Sequence, residues 1–397
     1  MPVLILGTHI TALGVLRMLT ARGVEAFVVD ETTDIITRSR WYRPPERTLA
    51  ETSESDTLAD YLQSLELPKA VLIGCSDTWT RAVAGLPPAV RERFPASVAP
   101  LETITQLVDK SRFSALVERL GIPHPQTLLV RDVKDLDALT DAQLANAFLK
   151  PTDSQSYHRI FGTKGSFADS RQSAARIVER ASAAGISLMV QEWIPGKMAN
   201  TILLDGFVDR RGTIKAMLAR RRIRMDPPRI AATCSDVTIP IEEVAEPAAA
   251  MQGLLADVGY RGIFNVEFKF DERDGLFKII EVNPRPFWFI GHIVRAGLDL
   301  PWMSYLDAQD LEVPSAPRYQ VGRYGVYEVP DANAILRAWS SFRRPEGPVL
   351  RPWLTGDHTL FWLRDPLPGL ADVWHAIQRR VRGAFSRVRP RRPRSAT

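Results

Sequence analysis

The sequence predicts a mixed fold, α/β in its first hundred residues and α+β beyond them. Three observations carry this expectation. A short apolar strand, a helix-spaced segment and a second apolar strand open the chain, the order of a parallel sheet with helices on its faces. Farther on, "IFNVEFKF" and "LFKIIEVN" flank the turn cluster "DERDG", which reads as an antiparallel hairpin. The composition, 45% hydrophobic and 24% charged over 397 residues, is ordinary for a globular chain and sufficient for two or three units around substantial cores.

Val3 to Leu6 is the first strand, closed by Gly7. The start, "MPVLILGTHI", has no basic stretch ahead of its apolar run and so reads as this strand, not as a signal peptide. "ITALGVLRMLTARGV" follows with Leu13, Leu16 and Leu19 at helical spacing and a stop at Gly23; "EAFVVD" is the second strand and "AVLIG" at 70–74 the third. "GTHITALG" lacks the G-x-G-x-x-G spacing, so Gly7 reads as a tight turn and not as a dinucleotide site. A second unit begins near Pro100. Its elements are the helix of "DKSRFSALVERLG", a strand at "QTLLV", a strand at "AFLKP" (147–151) and another at "SLMVQEWIPG". Alternation predicts strands again from about Thr201 to Lys215, followed by the basic element "ARRRIRM". Residues 316–397 are richer in Pro, Trp and Arg and read as a C-terminal appendage, with a helix near 369–385 and a disordered arginine–proline tail.

The net charge of +5 belongs to that tail, because Arg379 to Arg394 holds more arginines than the whole excess. The body is slightly acidic and gives no argument for nucleic acid. No apolar run reaches the ~18 residues of a transmembrane helix. Cys75 and Cys234 make neither a disulfide framework nor a metal-ligand spacing, so the expected compartment is the cytoplasm. His9, His124 and His158 are scattered and suggest no nucleophilic triad.

Within the hairpin, Asn265, Glu267 and Lys269 alternate with Phe264, Val266, Phe268 and Phe270. A five-residue connection would pair odd positions with odd, setting Glu267, Glu281 and Asn283 on one face with the two carboxylates side by side. Adjacent carboxylates repel unless a cation lies between them, and Mg²⁺ with its hard oxygen ligands is the usual solution. An exposed sheet face with scattered charges would give the same pattern. "EVNPRP" then ends the strand at its prolines.

In order, the chain carries "DK" before a helix, a Lys-Pro strand end, "VQEWIPG", an acid strand and Glu-Val-Asn-Pro-Arg. This sequence of motifs resembles the ATP-grasp superfamily, in particular the carboxylate–amine ligases of its carbamoyl-phosphate-synthase-like branch, which includes the D-aspartate ligases. The resemblance covers roughly residues 1–310, and "SRWYRPPE" and "CSDTW" look like the domain that precedes the fold in that branch. It implies a Rossmann-like pre-ATP-grasp domain over 1–100, a two-lobed ATP-grasp fold over 101–315 with its lid at about 125–195, and the appendage over 316–397.

Carried over residue by residue, the resemblance makes Glu267, Glu281 and Asn283 ligands of two Mg²⁺ ions, with Glu281 bridging, and sets the catalytic Arg285 beside the transferred phosphoryl group. Lys110 and Lys150 match the phosphate-contacting lysines, and Gln191, Glu192, Trp193 and Ile194 the linker along the adenine edge. Where relatives have a ribose-holding acid, this chain has Lys197 and Asn200. The glycine-rich phosphate loop is reduced to Gly162 and Gly165 around Lys164, a stretch that reads equally as a plain hairpin turn. Arg221 or Arg222 would bind the substrate carboxylate.

The implied function is an ATP-dependent carboxylate–amine ligase working through an acyl phosphate on small-molecule substrates, with ATP and Mg²⁺ as cofactors. The alternative is a nucleotide-binding regulatory or scaffold protein with little turnover. A homodimer is a further expectation. Leu370, Val373, Trp374, Ile377, Val381, Phe385 and Val388 form an apolar helical stripe among arginines. The stripe either docks on the body or gives a peripheral membrane contact on the cytoplasmic face.

Overall fold

The computed structural model describes the chain except residues 30–34, 48–54, 146, 152–156, 158–159, 164, 228–232, 317 and 389–397. Lys164, His158 and the arginine–proline tail therefore lie outside the described residues.

Strands β1 (Val3–Leu6), β2 (Ala26–Val29) and β3 (Val71–Gly74) form the expected parallel sheet, in the order β2-β1-β3. The helix Ile10–Ala21 lies against it, and Gly7, at φ +121°, makes the tight turn between strand and helix. Gly14 lets this helix approach a second helix, Ile290–Arg295, since a Cβ there would come within 2.5 Å of the Ile290 side chain.

A second sheet is antiparallel: β4 (Thr127–Val130), β5 (Ala147–Pro151), β6 (Ser166–Phe167) and β7 (Leu188–Glu192), in the order β4-β7-β5-β6. With the helix Arg171–Ala183 it encloses its own core of Val130, Leu149, Val178 and Leu188. Alternation along β5 buries Ala147, Leu149 and Pro151 and turns Phe148 and Lys150 outward, toward the centre of the molecule.

The third sheet has seven strands in the order β12-β11-β8-β9-β10-β13-β14. They are β8 (Thr201–Val208), β9 (Ile214–Met225), β10 (Thr233–Ile239), β11 (Gly262–Asp271), β12 (Leu276–Asn283), β13 (Tyr324–Val326) and β14 (Asp357–His358). One continuous apolar cluster joins Leu4 and Leu72 of the parallel sheet to Val266 and Phe268 of β11, so the first and third sheets share a core.

Two expectations change here. The segment read as an appendage supplies β13 and β14 to the central sheet and is tied to the body by buried ions. Arg224 of β9 donates to Asp331 at 2.7 and 3.0 Å, and Arg17 of the first helix donates to Asp365 at 2.9 Å. Its short strands carry little pattern of their own, which is why composition alone set them apart. The hairpin register also differs. The turn pairs Asp271 with Leu276 and Lys269 with Lys278, odd with even, and a bulge at Ile280 restores Glu267 opposite Glu281 and Asn265 opposite Asn283. Strict alternation would have put Phe277 and Ile279 on the acid face. The extra residue lets Ile279 bury in the core while Glu281 and Asn283 face the other way.

Candidate active site

The second and third sheets face one another across a cavity of about 1110 Å³. Its floor is the acid hairpin with β8 and β9, one wall is the outward face of β5 and β7, and the helix starts at Asp77 and Lys110 close the far side.

Glu267 and Glu281 stand opposite one another on neighbouring strands, each balanced by a cation from a different element. Arg222 of β9 donates to Glu267 at 2.7 Å, and the Lys150 ammonium of β5 lies 3.9 Å from Glu281. Burial in the cleft pushes the Glu281 carboxyl up. Lys150, the Asn283 side-chain amide, Arg285 and Arg222 outweigh this and hold it below the usual carboxylate range. The Glu281 side chain retains 45% of its surface, but that surface looks into the cleft, where desolvation is still felt.

Asn283 donates to Asn265 at 3.0 Å and to Glu281 at 3.3 Å, and its Oδ1 accepts from Arg285 at 3.0 Å. Arg285 also donates through Nε to Asp77 at 2.6 Å. Asp77 opens the helix Asp77–Ala84, capped by Ser76, so its carboxylate sits at a helix N-terminus that favours negative charge. The Lys110 ammonium, at the start of the helix Lys110–Arg119, donates to the Pro151 carbonyl at 2.5 Å and so ties that helix to the end of β5.

At the opposite end Gln191, Glu192, Trp193 and Ile194 run along the cavity edge. Trp193 packs edge-on against Phe167 and Phe148, and the Lys269 ammonium lies 4.8 Å from its ring centre while donating to the Ile194 carbonyl at 2.6 Å. Burial is the first reason that Lys269 is held below the usual lysine range, and Arg222 adds to it. The Glu192 amide donates to the Gln126 carbonyl, and its side chain accepts from Arg273 at 2.5 Å.

The structure thus brings together Lys110, Lys150, Gln191, Glu192, Trp193, Ile194, Arg222, Glu267, Glu281, Asn283 and Arg285. Two expected residues stay apart. Arg221 alternates to the other face of β9, is half-exposed and pairs with Glu243 at 2.9 Å. Lys197 is exposed and does not line the cavity, and Asn200 bonds Glu272 at 2.8 Å.

The reading of the sequence passed over others. Asn265 and Lys269 share the acid face in "IFNVEFKF", and Arg220 precedes Arg222 by one period of β9, so alternation carried all three signals. Asp77 stands inside "CSDTW", but its contact with Arg285 spans 208 positions and has no local signature. Arg220 is buried, held by Asp205 at 2.5 Å and by Asp236, beneath the rings of Phe287 and Phe289. Cys75 and Cys234 are both buried and do not line the cavity, and burial pushes the Cys75 thiol up to about 12.

Among the described residues no group of three His, Cys, Asp or Glu side chains could hold a metal ion. Two facing carboxylates and an amide oxygen form a smaller, all-oxygen donor set, which suits a hard cation completed by phosphate and water.

No family model matches the sequence. It is 26% identical over 226 residues to a D-aspartate ligase of Enterococcus faecium, covering 55% of this chain and 53% of that protein. It is 25% identical over 197 residues to the carbamoyl phosphate synthase large chain of Methanoregula boonei, covering 47% of this chain and 17% of that one. The chain thus spans about half the length of the first of these relatives and less of the second. Among solved structures, an ADP complex of N5-carboxyaminoimidazole ribonucleotide synthetase superposes with a TM-score of 0.64 at 13% identity, over 85% of each chain. The L-amino acid ligase from Bacillus licheniformis gives 0.60 at 12% identity, over 81% of this chain and 78% of that one. The biotin carboxylase domain of the Hydrogenobacter thermophilus 2-oxoglutarate carboxylase, bound to MgADP, gives 0.60 at 14% identity, over 81% and 72%.

Proposed function

We propose that this chain, whose fold is that of the ATP-grasp ligases, uses ATP to join a small-molecule carboxylate to an amine through an acyl phosphate. The observation that carries the proposal is the convergence, in one cavity, of a cross-strand carboxylate pair, two lysines and an arginine beside an aromatic-walled linker. The similarity to a D-aspartate ligase and the fold of the solved ligases support it.

In this reading the adenine lies along Gln191 to Ile194. The Glu192 N–H and the Ile194 carbonyl are engaged by Gln126 and Lys269, so base recognition falls to the Glu192 carbonyl and the Ile194 N–H. The triphosphate runs toward Lys150 and Lys110, whose charges offset its own. Glu267, Glu281 and Asn283 would hold Mg²⁺, with one ion or two accommodated by the donor set; when bound, it would neutralise and orient the phosphate oxygens.

A substrate carboxylate oxygen attacks the γ-phosphorus, the bond to the bridging oxygen breaks and ADP leaves. The Arg285 fork, fixed by Asp77 and Asn283, faces the phosphoryl group and stabilises charge as it moves. The amine nitrogen then attacks the acyl carbon. The C–O bond to phosphate breaks, and the amine gives its proton to the departing inorganic phosphate as the amide forms. Arg222, which lines the cavity, would leave Glu267 when the metal arrives and meet the substrate carboxylate. The lobe of β4 to β7 has a core of its own and would close over the site, excluding water from the mixed anhydride.

The test is ADP release in the presence of Mg²⁺ across pairs of carboxylates and amines, D-aspartate among them. Release that requires both partners supports the ligase. Nucleotide binding without release for any pair would favour a regulatory nucleotide-binding protein instead.

A further inference from the structure

The C-terminal helix, Leu367–Val388, inverts the usual arrangement of an amphipathic helix. It meets the body through Pro368, Gly369 and Asp372, the buried positions of its first turns, and rests on the short turn Ile35–Arg38. Gly369 permits the close approach, since a Cβ there would come within 2.7 Å of the Phe361 ring. Arg380 fixes the next turns by donating to Asn333 of the helix Glu328–Ser340. The apolar stripe points the other way. Leu367, Leu370, Trp374, Ile377 and Val381 recur at three- and four-residue steps and are all about half exposed, Trp374 at 58%. The expectation that the stripe docks on the body is therefore not met at Leu370, Val373, Trp374, Ile377 and Val381; the side chains of Phe385 and Val388 lie outside the described residues.

The charge around the stripe is one-sided. No Asp or Glu follows Asp372, whereas arginines stand at 379, 380, 382 and 387 and recur to Arg394. An outward apolar stripe with a tryptophan, flanked by arginines and lacking carboxylates, is complementary to a lipid surface bearing negative charge. A second copy docking through the same helix would bring the same positive excess against it.

We propose that this helix docks the protein on an anionic lipid bilayer, its stripe in the headgroup region and its arginines on the phosphates. Such docking is parallel to the surface, as no described helix is long and apolar enough to cross a membrane. It falls with salt, because the arginine contribution is screened. It rests on no step of the proposed reaction.

The test is co-sedimentation of the full chain with phosphatidylcholine vesicles and with vesicles of phosphatidylcholine and phosphatidylglycerol in equal parts, at low and high salt. The expected result is pelleting with the anionic vesicles only, weakened by salt. Binding should weaken about tenfold in Trp374→Glu/Ile377→Glu and in Arg379→Gln/Arg382→Gln. A thermal melt checks that both variants fold; the first changes only exposed side chains, and the second is an independent probe. Absence of pelleting by the wild-type chain, or unchanged pelleting by both variants, overturns the proposal. So does a wild-type dimer in sedimentation velocity that Trp374→Glu/Ile377→Glu dissociates while vesicle binding persists, because a second copy would then be the occupant. Nucleotide is absent throughout, so the outcome is separate from the fate of the ligase reading.

Discussion

Glu281 is the residue on which the site converges, since Lys150, Asn283 and Arg285 all direct positive charge or N–H groups at it. Glu281→Gln removes the charge and keeps the shape. The expected outcome is loss of Mg²⁺-dependent ADP release with an unchanged melting temperature, and near-normal release from the folded variant would remove Glu281 from the metal set. Its carboxyl is held below the ordinary range, so its charge is present above that range and is lost only as pH falls through the lowered value. Nucleotide-dependent stabilisation by Mg²⁺ should therefore persist through mildly acidic pH, and melts with and without MgATP across pH check it. Arg285 is preorganised by Asp77 and Asn283. Arg285→Lys replaces a fork with a point charge, so the barrier should rise by about 2.7–4 kcal/mol while nucleotide affinity changes little. A variant that loses affinity but keeps its rate at saturation would make Arg285 a binding residue alone.

At the scale of elements, the hairpin shows how far a pattern reaches. Both strands and the facing carboxylates were legible, because alternating residues report which face they occupy. The bulge at Ile280 was not, although Ile279 and Glu281 cannot both be buried in the core and face the cavity without it. The turn is held by Asp271, buried and bonded to Arg273 at 2.8 Å and to Lys278 at 2.7 Å. The Arg273 hydrogen bonds come first in holding its carboxyl far below the usual range. The sign follows: this stability is present above the unfolded carboxylate value of about 3.9 and is lost as pH falls below it toward the lowered one. Asp271→Asn should thus destabilise the protein at neutral pH, and the difference from wild type should shrink only in strong acid. A difference that shrank between pH 7 and 5 would contradict the assignment.

Across the whole molecule, long-range ion pairs join parts that composition separates. Arg17 donates to the Asp365 side chain and to the carbonyls of Leu360 and Asp365, while Ser39 donates to the same carboxylate at 2.8 Å. Asp365→Ala strands a buried guanidinium, a change that typically costs about 3–5 kcal/mol, and the melting temperature should fall by several degrees. A melt within a degree of wild type would mean that the Arg17–Asp365 pair adds nothing to the hold on residues 316–365.

By itself the sequence determined the parallel opening and the two strands of the acid hairpin, because each is a local pattern of burial repeating every two or three to four residues, while the linker at 191–194 followed from the order of motifs that carries the resemblance. Only the tertiary structure decided which arginines of "ARRRIRM" face the cavity, that Asp77 fixes Arg285, that Tyr324–Val326 and Asp357–His358 complete the central sheet, and that the C-terminal stripe looks outward from Leu367 to Val381. Those outcomes depend on contacts between residues tens to hundreds of positions apart, and such contacts are set by how preformed elements pack, which no short window of residues encodes.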